Sequence, residues 1–561
     1  MGGHGFVKRQ FINRHTITED LTAGLVLGIQ SIPDGLANGL LALINPIYGL
    51  YGYMMGTFSG AFFTSSAFMS IQATSAMALV VASVPQVTEG RSPNAPLFTL
   101  AILTGLLMLL AGLFKLGSLV RFVPNAVMTG FVNAVALLII LGQLDDFTGY
   151  SSVGANRIVR TLDLLGHLDQ AHLPTLMVGI LTIILILTLE KTSLKSLGMV
   201  VAMIVASLVV PLVGADEVAL VRDVADIPGS LPRPLLPSLT AVPGLIIPAI
   251  SLAFVGLMQG TGITQSIPNP DGRYPDASGD FVGQGVANLV SGLFQGTAVG
   301  GSLSATSLVM SAGARSRFAN ISAGLVMALA ILLFGRFVGA IAMPVLAGLL
   351  IVVGFRTLKP EQIGMVWKTG PVQQTVMALT FLAALFIPLQ YAVLLGVSLA
   401  VLLFVFQQSN KVTVKAWAIG PGQYPVESEP PTAVPAQQLT ILMPYGSLFY
   451  AAAPVFNEQL PKVTEATRHA VVILALRGKK DVGSTFLKVL VRYADELRRQ
   501  ESRLMLTGVE PYVLEQMERT SVLRTIGREN VFPASEGVGA ALLQAVDVAE
   551  AWIAAQPSPD V

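Results

Sequence analysis

The chain has 561 residues, of which 53% are hydrophobic and only 12% are charged, and its formal net charge is +1. Soluble proteins carry roughly twice that charge density, so the composition excludes an ordinary soluble enzyme. The chain contains no cysteine, which excludes disulfides, thiol nucleophiles and cysteine-ligated zinc. We predict that the protein is not an enzyme, needs no cofactor or metal, and does not bind nucleic acid.

The charges are distributed unevenly along the chain. Of the 67 charged residues, 27 fall in the last 124 and the other 40 are spread over the first 437. This contrast indicates a membrane domain followed by a soluble one. The predicted parts are a cytoplasmic leader, a transmembrane domain, a linker and a small soluble domain, at residues 1–20, 21–406, 407–437 and 438–561.

Fourteen apolar segments are candidates for membrane spans. A helix needs about 20 apolar residues to cross the hydrocarbon core of a bilayer. The third and tenth segments are too short to cross alone and read as half-helices, which are tolerated only inside a protein-lined cavity. The segments are 21–43, 47–64, 70–85, 96–114, 122–142, 174–189, 196–214, 244–266, 281–298, 304–313, 318–334, 338–355, 373–388 and 390–406.

The distribution of Lys and Arg predicts the orientation. An even number of spans places both termini on one side of the membrane, and cytoplasmic loops are enriched in Lys and Arg. With cytoplasmic termini, fifteen of the 21 Lys and Arg before residue 438 lie inside, including every lysine. We therefore expect a multi-pass protein of the plasma (inner) membrane with both termini in the cytoplasm.

An internal repeat indicates where the functional site lies. Shifting the sequence by 232 residues aligns residues 59–75 with residues 291–307, and seven of these 17 positions are identical. Seven spans separate the copies, and an odd number inverts the second copy, as in secondary transporters. The shared residues are Ser59, Gly60, Phe62, Ser70, Ala73, Thr74 and Ser75.

The repeat predicts an anion site where the two half-helices meet. Their N-termini would face each other, and each contributes unpaired N–H groups and a positive dipole of roughly half a charge. Hydroxyl groups at both half-helix starts would add donors. The alternative is that these hydroxyls cap helices or permit close packing. The hydroxyl residues are Ser70, Thr74, Ser302, Ser304 and Thr306.

Several motifs resemble the sulfate permease (SulP) family of anion transporters. They are Ile32–Ala37, Pro46–Tyr51, Phe122–Phe131 with Gly142–Leu144, Gly285–Asn288 and Gly313–Ser316. The resemblance implies seven-plus-seven inverted spans that form a core and a gate domain. It also implies a homodimer and transport of small anions such as sulfate, bicarbonate, chloride or dicarboxylates. The tail resembles a STAS domain, so the predicted fold is a polytopic α-helical membrane protein with a small cytoplasmic α/β STAS domain.

The sequence departs from the family pattern at three site positions. Family members commonly carry Pro-Gln in the first span, an acid in the eighth and Ser-Arg-Thr in the tenth, where this chain has Asp34, Gln259 and Ala305. The usual cation and its partner acid are therefore both missing, and anion attraction must come from helix dipoles and hydroxyls. The predicted substrate-binding residues are Asp34, Asn38, Ser70, Gln72, Thr74, Gln259, Ser302, Ser304, Ala305 and Thr306.

Asp34 is the candidate for proton coupling. A protonated Asp34 would accept an anion beside it, whereas an ionised one would repel the anion. The alternative is that Asp34 satisfies backbone N–H groups exposed next to Pro33. Sodium coupling is a weaker third hypothesis, because no second acid is evident nearby.

The tail alternates strand and helix patterns, and Ala470–Leu476 reads as a buried central strand. Signalling STAS domains carry a phosphorylatable Ser after an Asp, whereas here Asp481 is followed by Val482.

The function predicted for the whole chain is a secondary active transporter of carboxylate, dicarboxylate or bicarbonate-like anions, by proton-coupled symport and alternating access. Its expected partners are the anion, protons, the lipid bilayer and a second copy of the chain. The alternatives are a transporter of nucleobase-like solutes and an anion channel or sensor.

Overall fold

The computed structural model describes residues 16–88, 94–118, 123–194, 197–212, 217–224, 229–419, 425–479 and 482–557. Internal contacts divide the chain into two compact units, Met1–Ala400 and Val401–Val561. Asp481 and the basic residues of the first fifteen positions lie outside the described residues.

A helix lies in each of the fourteen predicted segments within the described residues. The third and tenth are short, with eight and nine residues, as expected for half-helices. In chain order the helices are α1 Ile17–Leu41, α2 Pro46–Phe63, α3 Ser75–Ala82, α4 Asn94–Leu113, α5 Asn125–Gly142, α6 Leu173–Leu189, α7 Leu197–Leu212, α8 Val242–Ser266, α9 Ala277–Leu293, α10 Leu303–Ser311, α11 Phe318–Val338, α12 Met343–Thr357, α13 Pro371–Phe386 and α14 Leu389–Ser409.

Length and hydropathy alone qualify five helical stretches of the described residues to cross a membrane: Asn94–Leu113, Asn125–Thr148, Leu239–Ser266, Phe318–Gly335 and Met343–Thr369. Other apolar helices are shorter, including α6, α7 and α13. Short helices at Pro85–Thr88, Leu144–Thr148, Arg157–Gly166, Val221–Val224 and Pro360–Thr369 connect or extend the main ones.

The helices pack in pairs that follow the repeat. Helix α1 packs on α2 and α11. Its counterpart in the repeat, α8, packs on the counterparts of these two helices, α9 and α4. Glycines allow the close approach of α1 and α11: a Cβ at Gly24 would lie 1.8 Å from Ser322 Oγ, and one at Gly28 would lie 2.7 Å from Val326 Cβ. Small residues at helix contacts are the usual means of tight packing in membranes.

Two short strands precede the half-helices and pair with each other. Strand β1, Ser70–Gln72, runs antiparallel to β2, Gly300–Ser302, and Ser70 lies opposite Ser302. These two residues are separated by 232 positions, the offset of the sequence repeat. A two-fold rotation that relates the repeats would exchange Ser70 with Ser302, so their pairing is the one that an inverted repeat of this offset predicts. We call the paired strands and the half-helix starts that follow them the crossing.

The second unit contains a six-stranded sheet in the order β4-β3-β5-β6-β7-β8. Strands β5 to β8 are parallel, while β3 is antiparallel to both β4 and β5. The strands are β3 Thr413–Ala418, β4 Val426–Ser428, β5 Leu439–Tyr445, β6 Val471–Ala475, β7 Arg503–Val509 and β8 Val531–Pro533. The main helices are α15 Ala453–Gln459, α16 Ser484–Arg499, α17 Pro511–Arg519, α18 Val522–Ile526 and α19 Ala540–Ala554.

The structure differs from the predicted linker over 407–437, because β3 and β4 belong to this sheet. Val412 and Val414 are buried in its core, and Trp417 and Tyr445 both donate hydrogen bonds to the Glu427 carboxylate. The hydrogen bond from Tyr445, and after it the one from Trp417, holds the pKa of Glu427 below its usual value. Gly483 stands at the N-cap of α16, and Ser484 begins its first turn.

Candidate anion site at the crossing of two half-helices

Strands β1 and β2 lead into α3 and α10, so the two half-helices start at the two ends of one antiparallel strand pair. Thr74 caps α3 and accepts a hydrogen bond from Met77 N at 3.4 Å. Ser302 caps α10 and accepts one from Ala305 N at 3.3 Å. Both N-caps are half-buried rather than sealed. Each half-helix therefore keeps unpaired N–H groups in its first turn, which favour a negative charge.

The two half-helices do not start at equivalent positions of the repeat. The alignment pairs Thr74 with Thr306, but α10 already begins at Leu303, directly after β2. Thr306 therefore lies in the first turn of α10, where its hydroxyl donates to Ser302 O at 2.6 Å. The second half-helix starts one turn early, and the site is asymmetric although the sequences are alike.

Two of the predicted binding hydroxyls are buried and connect elements of the protein. The backbone N–H of Ser70 donates to Thr306 Oγ1 at 3.1 Å, and Ser70 Oγ donates to Asn320 Oδ1 at 2.6 Å. Ser70 and Thr306 are both fully buried, at 0% exposure. These hydrogen bonds connect β1 to α10 and α11, so both hydroxyls have protein partners.

Three other predicted hydroxyls are less buried, since Ser304 is exposed and Ser302 and Thr74 are half-buried. Ser304 is exposed, and its Oγ is 3.2 Å from the Oγ of Ser302. Thr74 Oγ1 donates to Gln259 Oε1 at 2.9 Å, which joins α3 to α8. Ala305 is buried and presents only a methyl group. A ligand here meets hydroxyl and amide groups and two helix N-termini.

Asp34 and its neighbours lie on α1, which contacts both half-helices. Gln72 Nε2 donates to Ser31 Oγ at 2.8 Å, and Ser31 is three residues before Asp34, on the same helix face. Asn38 Nδ2 donates to Asp34 O at 2.9 Å and to Tyr53 Oη at 2.8 Å. The half-buried Asp34 carboxylate receives no hydrogen bond from the described residues. Satisfying backbone N–H groups beside Pro33 therefore does not account for it.

The charges near Asp34 come from outside the crossing. Within the described residues, the cation whose field acts on Asp34 is Arg356, in the last turn of α12. Arg356 is already paired with Glu190 through two hydrogen bonds, one of them from Nη1 to Oε1 at 3.0 Å. The sequence does not predict this ion pair.

Two buried amides that the sequence analysis did not assign hold β2 in place. Gln284 Oε1 accepts from Gly301 N at 3.0 Å. Asn288 accepts from Val299 N at 2.8 Å and donates to Val299 O at 2.6 Å, as a neighbouring strand would. Asn288 belongs to the motif Gly285–Asn288, but no local pattern indicates that it binds backbone rather than substrate.

Buried acids fix the loops next to the crossing. Asp280 is fully buried and its Oδ1 accepts from Thr64 Oγ1, Ser65 N and Ser66 N at 2.5, 2.9 and 2.9 Å. Asp20 is also buried and accepts from Arg315 N and Ser316 N at 2.7 and 2.9 Å. With their donors in place, both carboxylates are structural.

Comparison with known proteins identifies the architecture. The model of the sulfate permease family matches residues 17–380, and the STAS domain model matches residues 431–537. The chain belongs to the sulfate permease family. The predicted fold class, a helical multi-pass membrane protein with an α/β STAS tail, is thereby confirmed, and so is the prediction that the protein is a transporter of anions and not an enzyme.

Individual relatives share the organisation over most of their length. The chain is similar to sulfate transporter 4.1, chloroplastic, of Arabidopsis thaliana, with 22% identity over 539 residues, 91% of this chain and 78% of the relative. It is similar to the bicarbonate transporter BicA of Picosynechococcus sp., with 25% identity over 418 residues, 73% and 74% of the two chains. The structure of the murine solute carrier 26 family member A9 anion transporter superposes with a TM-score of 0.84 and 18% identity, covering 97% of this chain and 93% of that one.

Proposed function

We propose that this family member takes up a small carboxylate, dicarboxylate or bicarbonate-like anion together with a proton, by alternating access. The observation that carries the proposal is the crossing itself. Two half-helices start there, the hydroxyls of Ser302 and Ser304 lie 3.2 Å apart at the start of α10, and Ala305 supplies no cation. The half-buried carboxylate of Asp34, on the adjacent helix, has no hydrogen-bond partner within the described residues.

Charge balance favours a singly charged substrate. Two helix N-termini supply roughly half a positive charge each, which together offset about one negative charge. A doubly charged anion such as sulfate would keep an uncompensated charge in a partly desolvated site, which is costly. We therefore expect singly charged members of the substrate class to be bound best, even though some relatives carry the name of sulfate transporters.

A proton on Asp34 completes the balance. An ionised Asp34 adds a negative charge beside the anion and cancels much of the attraction, whereas a protonated one leaves it intact. Substrate and proton then bind together and leave together, which is the requirement for symport. Cytoplasmic termini and a homodimer, which the Lys and Arg distribution and the family resemblance imply, are part of the same proposal.

Uptake into proteoliposomes tests the proposal. Radiolabelled acetate, succinate, bicarbonate, chloride, sulfate and uracil are offered to the full-length protein, with and without an inward proton gradient. We expect uptake of a carboxylate or bicarbonate above its equilibrium level, abolished by a protonophore. Accumulation of uracil alone would favour the nucleobase-like alternative, and anion flux that never exceeds equilibrium would favour a channel.

A further inference from the structure

A large apolar crevice lies between α1, α7 and α11 in the membrane domain. Its volume is about 1030 Å³, and none of the predicted substrate-binding residues lines it. All three helices contribute aliphatic side chains to its walls. Representative ones are Leu25 and Ile29 of α1, Met203 and Ile204 of α7, and Leu329 and Leu333 of α11.

The crevice is open to the surface of the membrane domain. Leu333 is 61% exposed, Leu329 55% and Ile204 55%. Large apolar side chains of a membrane-spanning helix bundle face lipid rather than water when they are exposed. The medium that reaches this crevice is therefore the hydrocarbon of the bilayer.

The crevice is as deep as one bilayer leaflet. Its lining on α11 runs from Val326 to Val338, thirteen residues or about 18 Å of helix, and on α7 from Val200 to Pro211, about 16 Å. Half of the hydrocarbon core is about 15 Å thick. An acyl chain that enters from one interface would therefore reach its end at the bottom of the crevice.

One end of the crevice carries a cation that has no partner within the described residues. Residues 219–222 pair with residues 339–343: Val221 N donates to Ile341 O at 2.9 Å, and Met343 N to Ala219 O at 2.9 Å. This pairing holds Arg222 at the rim, exposed and without a hydrogen bond or ion pair from its guanidinium within the described residues. The neighbouring acid, Asp223, already accepts from Leu220 N at 2.7 Å.

From these features we infer that the crevice binds a glycerophospholipid. One acyl chain lies along α1, α7 and α11, and the phosphate group contacts Arg222, whose planar guanidinium matches phosphate oxygens in two-pronged geometry. Apolar depth and a terminal cation together fit a lipid with a phosphate headgroup, because its acyl chain fills the apolar part and its phosphate meets the cation at the rim. This inference is independent of the transported substrate.

Native mass spectrometry of the full-length protein tests the inference, after incubation with dioleoylphosphatidylglycerol and gentle detergent removal of bulk lipid. We expect one retained phospholipid per protomer. Arg222→Gln should lower the retained fraction at least tenfold, and Ala330→Phe, which fills the crevice from α11, should abolish it. Ser207→Leu fills the crevice from the facing wall on α7 and serves if Ala330→Phe does not fold.

Matched controls separate the crevice from general effects. Arg233→Gln removes an exposed arginine that does not line the crevice, and Leu332→Phe adds bulk on α11 outside it. Both should retain lipid like the parent. Retention of lipid at the level of the parent by Arg222→Gln and by the crevice-filling variants would overturn the inference. Loss of the dimer mass instead of the lipid mass in those variants would overturn it as well.

Discussion

Ser304 is an exposed hydroxyl residue at the crossing, and in the proposed site any added volume there would meet the substrate. It lies in the first turn of α10, and its neighbour Ser302 already caps the helix. We predict that Ser304→Trp lowers uptake at least about tenfold, because overpacking a preformed site costs roughly 1–3 kcal/mol. Ser311→Trp, at the other end of the same helix, should transport like the parent. Full uptake by Ser304→Trp would mean that the repeat marks helix packing.

The sequence predicts which types of residue lie at the crossing, but not where their side chains point. Ser70 and Thr306 carry the hydroxyls that an anion site needs, yet both are turned inward. The partner of Ser70 is Asn320, 250 positions away along the chain. No periodicity within one segment reports such a partner, so a donor to substrate and a donor to the protein look alike in the sequence.

Two glycines of α8 form the surface on which β2 rests. A Cβ at Gly301 would lie 2.8 Å from Gly260 Cα, and one at Gly300 would lie 3.0 Å from Gly256 Cα. Gly256 and Gly260 are four residues apart, the spacing that allows close approach in membrane helices. The position of β2, and with it the start of α10, depends on this contact.

We predict that Gly260→Ala destabilises the protein by about 1–3 kcal/mol. A Cβ there would lie 2.1 Å from Gln284 Nε2, and Gln284 is the amide that holds Gly301. Gly262→Ala is the control, because a Cβ at that position of the same helix meets nothing within 4 Å. Thermal unfolding in detergent should show a lower midpoint for Gly260→Ala and an unchanged or higher one for Gly262→Ala. Equal midpoints would contradict the proposed contact.

At the scale of elements, the long helices could be predicted and the short strands could not. Apolar segments of the sequence identify α1 to α14, including the short helices α3 and α10. Strands β1 and β2 have three residues each, and Gly300–Ser302 has no alternating pattern, so their pairing follows only from three-dimensional structure. The sequence does not indicate β3, because Pro421 and Pro425 follow it closely and prolines are typical of a linker.

The whole molecule consists of a membrane unit that contains the site and a STAS unit that does not. All the side chains at the crossing come from residues before 400. We predict that deletion of residues 411–561 leaves the ranking of transported anions unchanged and lowers expression or rate. Deletion from 438 should be worse tolerated, because it leaves β3 without its partner β5 and exposes an unpaired strand edge. A changed ranking of transported anions in the protein that lacks residues 411–561 would contradict this division.

The coupling of proton and anion through Asp34 is the central claim, and Asp34→Asn tests it most directly. At about 6 Å and an effective dielectric constant near 20, two like charges repel by roughly 3 kcal/mol, or about two decades of affinity. The amide lacks that charge at every pH. The variant should therefore bind and exchange anion without a dependence on pH, but should fail to concentrate it.

The measurement is the steady-state accumulation of labelled anion in proteoliposomes under an inward proton gradient, beside exchange at equal concentrations. Asp169→Asn, at an exposed acid far along the chain from the crossing, is the matched control and should accumulate anion like the parent. The account predicts exchange without accumulation for Asp34→Asn. Accumulation by Asp34→Asn to the level of the parent, with the same dependence on pH, would contradict it.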